Sequence, residues 1–455
     1  MISSLDMSIK LAKEINTKGG TVYFVGGYIR DKLIDEKSIS DEHDIDIEVH
    51  DIDYDILEGI INKYGTDLNY GKSFGITSLA GYNIDIAMPR LETNTGEGHT
   101  DFEVLVDKNI GTYKASKRRD FTINSIMQNI ITGEIIDHFA GREDIKNRII
   151  RHIDDEKFVE DPLRVLRACQ FSSRFNFNIA ESTKDLCRTI DITKLSKERI
   201  MIELEKALLL SEKPSIFFNE LDSMGHLDFW FKEIKELQNI EQSSIHHKEG
   251  NVYNHTMMVI DAAVKYRDKA SNPLYFMLAA LCHDLGKIEA TTNVDGKIRS
   301  LQHEIIGMDI AERFLKRLSS EKRLIKYVKN MVKLHMKPNM YFRDNSKIKS
   351  TNMMFHKSIE PIDLIYLAQA DNEGKISEYE TKSSKEFLLE RLEIYNNLMK
   401  EDYIDGNDLI KKGVEVNDNF SKIIDFITKL RMAQVGKDTA LKEAIRYANQ
   451  INERS

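Results

Sequence analysis

Residues 21–31, TVYFVGGYIRD, and residues 44–49, DIDIEV, decide the fold. The β-branched and aromatic run 21–25 predicts a strand. Gly26-Gly27 breaks it, and a helical pattern runs from Tyr28 to Ile34. Residues 44–49 alternate strictly between acidic and apolar. In a strand, Ile45, Ile47 and Val49 then face a core, while Asp44, Asp46 and Glu48 share the opposite face. Residues 83–88, NIDIAM, repeat the alternation, with Asp85 between Ile84 and Ile86. Residues 90–102 are polar, carry Gly96 and Gly98, and read as a mobile loop.

Beyond this mixed α and β opening the pattern turns helical. Pro162 suits a first helical turn, and Leu163, Leu166, Arg167 and Gln170 follow at helical spacing. Residues 232–250 lack periodicity and contain Gln242-Ser243-Ser244, which predicts a linker holding His246 and His247. Long helices are expected at 254–266, 273–285, 303–315 and 324–334, a charged amphipathic one at 378–399, and a small helical unit from 402 onward. The expected class is α+β: a small mixed-sheet head, 1–145, followed by all-α segments at 146–235, 245–375 and 376–455.

Composition narrows the function. Lys plus Arg number 65 against 74 Asp plus Glu, a net charge of −9, which argues against a wholesale polyanion binder. Local basic surfaces remain, at Lys114, Lys117, Arg118 and Arg119 and at Arg164, Arg167 and Arg174. The three cysteines, Cys169, Cys187 and Cys282, form no CxxC pair and read as reduced, buried thiols. Residues 1–10 lack the apolar core of a signal peptide, and the apolar run 273–282 is far short of the ~20 residues that span a bilayer. A soluble, cytoplasmic protein without membrane partners is expected.

Two carboxylates at i, i+2 on one strand face suit two-metal phosphoryl transfer. Mg²⁺ takes hard oxygen ligands alongside substrate phosphates, and paired ions stabilise the attacking and leaving oxygens. Asp85 on a neighbouring strand can complete the set with Asp44 and Asp46. Gly26-Gly27 ahead of a helix lets backbone N–H groups approach a triphosphate.

Gly26-Gly27-x-x-Arg30-Asp31 with Asp44-Ile-Asp46 resembles the first motif of bacterial class II CCA-adding enzymes and poly(A) polymerases. The likeness continues in order through Arg118-Arg119-Asp120-Phe121-Thr122-Ile123-Asn124, Asp137 through Gly141 to Asp144, Glu160-Asp161-Pro162-Leu163-Arg164, and Glu198-Arg199 with Glu203. The resemblance implies a polymerase-beta-like nucleotidyltransferase head, a helical neck carrying a nucleotide-template motif, and CCA addition to tRNA from CTP and ATP with Mg²⁺. It places Gly26, Gly27, Arg30, Arg119, Asp120, Asn124, Asp161, Arg164 and Arg167 around the incoming nucleotide, with Asp120 and Asn124 near its ribose. Asp161 and Arg164, at i and i+3, then act as a protein template. A carboxylate accepts and a guanidinium donates, matching cytosine N4–H with N3 and adenine N6–H with N1. Uracil and guanine present the reverse polarity. Asp161 also fits an ordinary N-cap before Pro162. Arg118 and Arg119 fit either a phosphate site or a structural ion pair, and Glu198, Arg199 and Glu203 read as structural.

A second constellation is independent of the first. His255, His283-Asp284, His303, His335 and Asp371 recur on successive expected helices. Burying His283-Asp284 at the end of an apolar helix is costly without a metal or partner. Imidazole with carboxylate suits Mn²⁺, Fe²⁺, Co²⁺ or Ni²⁺. The order resembles the HD superfamily of metal-dependent phosphohydrolases, in which His255, His283, Asp284 and Asp371 match the core ligands. His303 and His335 match positions for a second metal, or are plain histidines. The pair His43-Asp44 lacks this context. In nucleotidyltransferases with such a domain, the resemblance implies hydrolysis of 2′,3′-cyclic phosphates and phosphomonoesters. Gly406-Asn407-Asp408-Leu409 and Gly413 resemble the tail of such enzymes, which departs at 414–418 from a Pro-Gly-Pro-like turn.

The alternatives are CC-only or A-only addition, poly(A) synthesis, an HD hydrolase with an RNA-binding head, and a non-catalytic RNA chaperone. The 90–102 loop disfavours CC-only enzymes. The acidic balance disfavours a poly(A) polymerase, the intact Asp44-x-Asp46 disfavours an HD hydrolase with an RNA-binding head, and both intact sites disfavour a non-catalytic chaperone.

Overall fold

The computed structural model describes residues 2–35, 43–67, 76–94, 102–242, 248–295, 297–376 and 383–452. The chain divides into two compact units, Met1–Leu195 with Asn219–His226 and Ser196–Phe218 with Leu227–Ser455.

In the first unit a sheet forms from β1 (Thr21–Phe24), β2 (Ile45–His50), β3 (Thr66–Asp67), β4 (Ile76–Leu79), β5 (Ile84–Ala87), β8 (Met127–Asn129) and β9 (Ile135–Ile136); β6 (Arg90–Asn94) and β7 (Phe102–Val106) pair separately. The seven-stranded order is β3-β4-β5-β2-β1-β8-β9. β2 runs antiparallel to β1 and parallel to β5, which makes the sheet mixed. The period-2 pattern sets its faces. Ile45, Ile47 and Val49 are buried with Val22, Phe24, Ile84 and Ile86, and the helix Ser4–Asn16 adds Leu11 and Ile15 to that core. Each such side chain contributes about 1.5–3 kcal/mol by leaving water.

The polar stretch 90–102 departs from the loop expected of it. Its first part is β6, paired antiparallel with β7 from Arg90↔Val106 to Asn94↔Phe102. A ladder needs only backbone N–H and C=O groups, so polar residues do not prevent it. The remainder of that expected loop, 95–101, lies outside the described residues.

Helix Leu163–Phe175 follows, then Glu181–Arg188. Asp161 Oδ1 accepts from Leu163 N at 3.0 Å, one residue ahead of Pro162, which takes the N-cap position of this helix.

The second unit is mainly helical. Val252–Arg267 is capped by Asn251, and Pro273–Cys282 is capped by Asn272 with Pro273 in its first turn. His303–Leu318, Lys322–Leu334 and Pro361–Glu373 complete the set that carries the histidines and acids. A hairpin of Thr291–Val294 and Lys297–Ser300, not foreseen in an all-α segment, precedes His303. The expected linker is also corrected: Lys232–Glu236 is a helix whose Ile234 is buried and whose Glu233 takes a two-pronged ion pair from Arg317 at 2.6 and 2.7 Å. Five residues are too few for a visible period, so only tertiary packing reveals it. His246 and His247 lie outside the described residues. Lys385–Lys400 and three helices, Gly406–Lys411, Phe420–Met432 and Lys437–Asn452, follow, the last three sharing a small core. All three cysteines are free and buried. Among the described residues no helix is long and apolar enough to cross a membrane.

Candidate functional site

In the head, register brings Asp46 directly beside Asp85 on the neighbouring parallel strand. Asp44 is exposed one residue before β2, and Asp46 is half-buried. Burial raises the Asp46 carboxyl above its ordinary value, with Asp85 and Asp44 adding to the rise and Arg119 and the Gly27 N–H opposing it. Ser78 Oγ donates to Asp85 at 2.5 Å. The three carboxylates share a face, yet their oxygens do not converge to within 4.8 Å as two other groups in this chain do. An all-carboxylate oxygen set, one member strained by its neighbours, fits Mg²⁺.

Gly26 is required where it stands. Its φ is +63°, and a Cβ there would lie 2.8 Å from Asp46 Oδ2 and 3.4 Å from Arg119 Nη1. Gly26 and Gly27 open the helix Gly26–Ile34 instead of forming a separate turn, so their N–H groups belong to its first turn, where the Gly27 N–H donates to the Asp46 carboxylate.

A connected polar chain backs this face. Arg174 Nη2 donates to Asp31 at 3.0 Å, and Arg30 Nε donates to Asp31 at 2.6 Å. Arg30 Nη1 donates to Asn124 Oδ1 and Asn124 Nδ2 to Asp120 Oδ1, both at 2.8 Å. Arg167 Nε closes the series on Asp120 Oδ2 at 2.7 Å. Arg30 is buried with its guanidinium over Phe171 and Phe175 at 5.0 and 4.8 Å, so it faces inward. Asp120 is buried, which would raise its carboxyl, but Arg167 and Asn124 hold it below its ordinary value. Arg164 donates to Lys157 O at 2.6 Å and Arg118 O at 3.0 Å. These two carbonyls fix its guanidinium at the start of the helix Leu163–Phe175. Asp144 accepts from Thr122 Oγ1 at 2.7 Å, locking the segment that carries Asp120 and Asn124.

In the second unit His255, His283 and Asp371 form one ligand group and Asp284, His303 and His335 another, with the atoms of each within 4.8 Å of one another. Asp284 joins them. Its Oδ2 lies 3.3 Å from His283 Nε2 and 3.6 Å from His255 Nε2, and its Oδ1 lies 3.3 Å from His303 Nε2 and 3.6 Å from His335 Nε2. His255 Nε2 is 3.2 Å from Asp371. Among the described residues the pair His43-Asp44 falls in neither group.

The hydrogen bonds behind the rings test whether a cation fits. His283 Nδ1 faces Ala280 O at 2.7 Å, His303 Nδ1 faces Ser300 O at 2.8 Å, His335 Nδ1 faces Val332 O at 2.7 Å, and His255 Nδ1 faces Gly374 O at 3.1 Å. A carbonyl only accepts, so Nδ1 carries the proton and a neutral ring turns its Nε2 lone pair inward. Two such pairs meet: His255 and His283 Nε2 are 3.4 Å apart, and His303 and His335 Nε2 are 3.3 Å apart. Facing lone pairs among buried carboxylates fit one or more metal ions. Burial disfavours a charged His255, but Asp371 and Glu249 outweigh it and raise the ring to about 9. Asp284 stays well below the carboxylate range because Lys287 and His283 overcome its burial.

Sequence reasoning did not single out three neighbours of these residues. Lys287 Nζ lies 2.7 Å from Asp284 Oδ2, Glu249 lies 3.2 Å from His255 Nδ1, and the buried Glu48 lies beneath Arg118 and Arg119. Only Lys287 had a legible signal, one helical turn after Asp284. Burial pushes Glu48 upward, but His50, Arg119 and Arg118 win and lower it to about 2.

Gly286 makes the close packing possible. A Cβ there would lie 1.9 Å from His303 O and 2.6 Å from Gly307 N, both backbone atoms. Gly286→Ala is expected to destabilise this unit by about 1–3 kcal/mol and to weaken metal binding, read by urea unfolding and metal titration. An unchanged unfolding midpoint would mean that this packing is looser than drawn.

Three family models match parts of the chain: "Poly A polymerase head domain" over residues 22–151, "Probable RNA and SrmB- binding site of polymerase A" over 176–238, and "HD domain" over 252–373. The chain is 33% identical over 307 residues to the multifunctional CCA protein of Actinobacillus pleuropneumoniae serotype 5b, covering 65% of this chain and 71% of that protein. It is 35% identical over 276 residues to the multifunctional CCA protein of Haemophilus ducreyi, covering 58% of this chain and 64%, just under two thirds, of that relative's length. Bacillus stearothermophilus CCA-adding enzyme, solved in complex with CTP, shares the fold at TM-score 0.70 and 18% identity over 100% of both chains. A Thermotoga maritima CCA-adding enzyme, solved with tRNA_CCA, gives 0.62 at 19% identity over 97% of this chain and 95% of that one. The match to the Actinobacillus protein, joined to the head and HD models, shows that the chain belongs to the multifunctional CCA protein family.

Proposed function

We propose that the chain adds CCA to the 3′ end of tRNA from CTP and ATP, without a nucleic-acid template, in the cytoplasm. The observation that carries this is the register of Asp46 beside Asp85, next to the glycine-opened helix Gly26–Ile34. Asp44 and Asp46 are the residues to hold Mg²⁺, with Asp85 in support. When bound, Mg²⁺ neutralises phosphate charge and stabilises the developing oxyanions. The helix start at Gly26-Gly27 receives the triphosphate, with the Gly27 N–H also steadying Asp46, and Arg119 adds charge beside it. Asp120, held by Arg167 and Asn124, is set to meet the ribose. The inward-facing Arg30 serves through Asn124. The names and bound ligands of the relatives, CTP and tRNA among them, support the same reading. The transferase variants separate on tRNAs ending in the discriminator base, in C, or in CC. CTP alone should carry each no further than CC, ATP alone should add one A only to the tRNA ending in CC, and the two together should extend each to CCA. Extension to CC alone, A alone, or a long A tract would replace this reading with the corresponding alternative.

Arg164 and Asp161 are proposed as the base template. Carbonyl anchoring fixes the Arg164 fork, leaving its other N–H groups to meet cytosine N3 or adenine N1. In Arg164→Ala the ratio of kcat/KM for CTP over UTP should fall about 10- to 100-fold, the worth of one charge-assisted hydrogen bond. An unchanged ratio with both rates lowered together would make Arg164 structural.

The HD residues are proposed to hold one or two transition-metal ions, His255, His283, Asp284 and Asp371 forming the core set and His303 and His335 the rest. A bound metal supplies Lewis acidity for phosphate-ester hydrolysis. Asp284, shared between the two groups, orients the set, and Lys287 offers a cation toward a phosphate. The substrates proposed are RNA ends bearing 2′,3′-cyclic phosphate and phosphomonoesters.

A further inference from the structure

The acidic face of β2 extends one step past the metal-binding pair. Glu48 lies two residues beyond Asp46 on the same face, beside Tyr23 on β1, and is 1% exposed. A buried carboxylate demands partners. His50 Nε2 lies 2.9 Å from Oε1, and Arg119 Nη2 and Arg118 Nη2 lie 3.3 and 3.5 Å from Oε2. His50 is itself buried and meets the Tyr23 ring edge-on at 5.2 Å. No substrate needs to reach Glu48 for it to matter.

Arg119 divides its fork. Nη2 goes to Glu48, while Nη1 reaches the start of the helix Gly26–Ile34, 3.4 Å from where a Gly26 Cβ would stand. Its charge is also felt by Asp46. A guanidinium released from Glu48 would find its next acceptors in Asp46, Asp44 and Asp85. It would then compete with Mg²⁺ for the carboxylates and leave the triphosphate without its cation.

We propose that Glu48 is a positioning residue that grips Arg118 and Arg119 and so pins Arg119 beside the Gly26-Gly27 helix start as a preset receptor for the nucleotide triphosphate. This rests on the transferase reading above. It gives the third acid of the DIDIE run a role different from that of the first two: it holds cations of the protein, not the metal.

Inorganic tripolyphosphate is the probe, since it carries the anion without base or ribose and its binding is read without turnover. In Glu48→Gln its affinity should fall about tenfold. KM for CTP should rise by a similar factor, while kcat changes less than about threefold. A merely structural defect would shrink the active fraction, lowering kcat and leaving KM alone. Glu48→Asp keeps the charge but withdraws it by one methylene, and should give an intermediate KM. Should Glu48→Gln fold poorly, Glu48→Asp decides, with a wild-type KM overturning the proposal. Equal tripolyphosphate affinity in folded Glu48→Gln and wild type would also overturn it while leaving the transferase reading intact. If wild type neither binds tripolyphosphate nor adds nucleotides, the transferase reading fails, and this proposal with it.

Discussion

Asp46→Ala is expected to lower nucleotide addition at least about a thousandfold with Mg²⁺ present while the chain stays folded. Asp46 is the one carboxylate placed to act with both others: it faces Asp85 in register and follows Asp44 on the same face. Its loss removes the central oxygen ligand. It removes no core packing, because the apolar face of β2 is Ile45, Ile47 and Val49. Stability should be unchanged or slightly raised, since burial and like charges burden Asp46 in the resting protein. Asp85→Ala should be milder, Asp85 being exposed and held by Ser78. Primer extension with the purified variants reads both effects. Near-normal incorporation by Asp46→Ala would remove the basis of the active-site assignment.

The second large effect is expected in the other unit. His283→Ala with Asp284→Ala should eliminate Mn²⁺-, Co²⁺- or Ni²⁺-dependent hydrolysis of an RNA 2′,3′-cyclic phosphate, and metal binding with it, while nucleotide addition stays within about twofold. Asp284 reaches the ligands of both groups, and His283 lies against Asp284 and His255. Removing the pair therefore disrupts both groups at once. The two candidate sites lie in different compact units, which motivates the expected independence. A phosphomonoester serves as control substrate, and metal content is read on the purified protein. A wild type that binds no metal would make the histidine set structural. Loss of nucleotide addition in a folded double variant would show that the sites are coupled.

The two sites differ in how far they were legible. The acidic face of β2 was visible because a strand alternates with period 2, and Ile45, Ile47 and Val49 are indeed buried. The HD set was visible because a His-Asp pair beside an apolar helix is costly alone, and the structure gathers its six members into two adjoining groups. What escaped depends on contacts distant in sequence. Glu48 is separated from Arg118 by 70 residues, and nothing local marks it as a buried anchor. The inward turn of Arg30 depends on Phe171 and Phe175, far along the chain on the helix Leu163–Phe175. The β6–β7 pairing was hidden because polar residues mask a backbone ladder, and Lys232–Glu236 because one turn shows no period.

The most direct test of the central claim is the mass of a single product. A tRNA lacking its 3′ CCA is incubated with wild-type protein, Mg²⁺ and all four nucleoside triphosphates together, and the extended RNA is weighed and sequenced. Growth by two cytidines and one adenosine, in that order, followed by a stop, is expected, with Asp46→Ala leaving the tRNA unextended. Incorporation of uridine or guanosine, a lengthening adenosine tract, or equal extension by Asp46→Ala would contradict it.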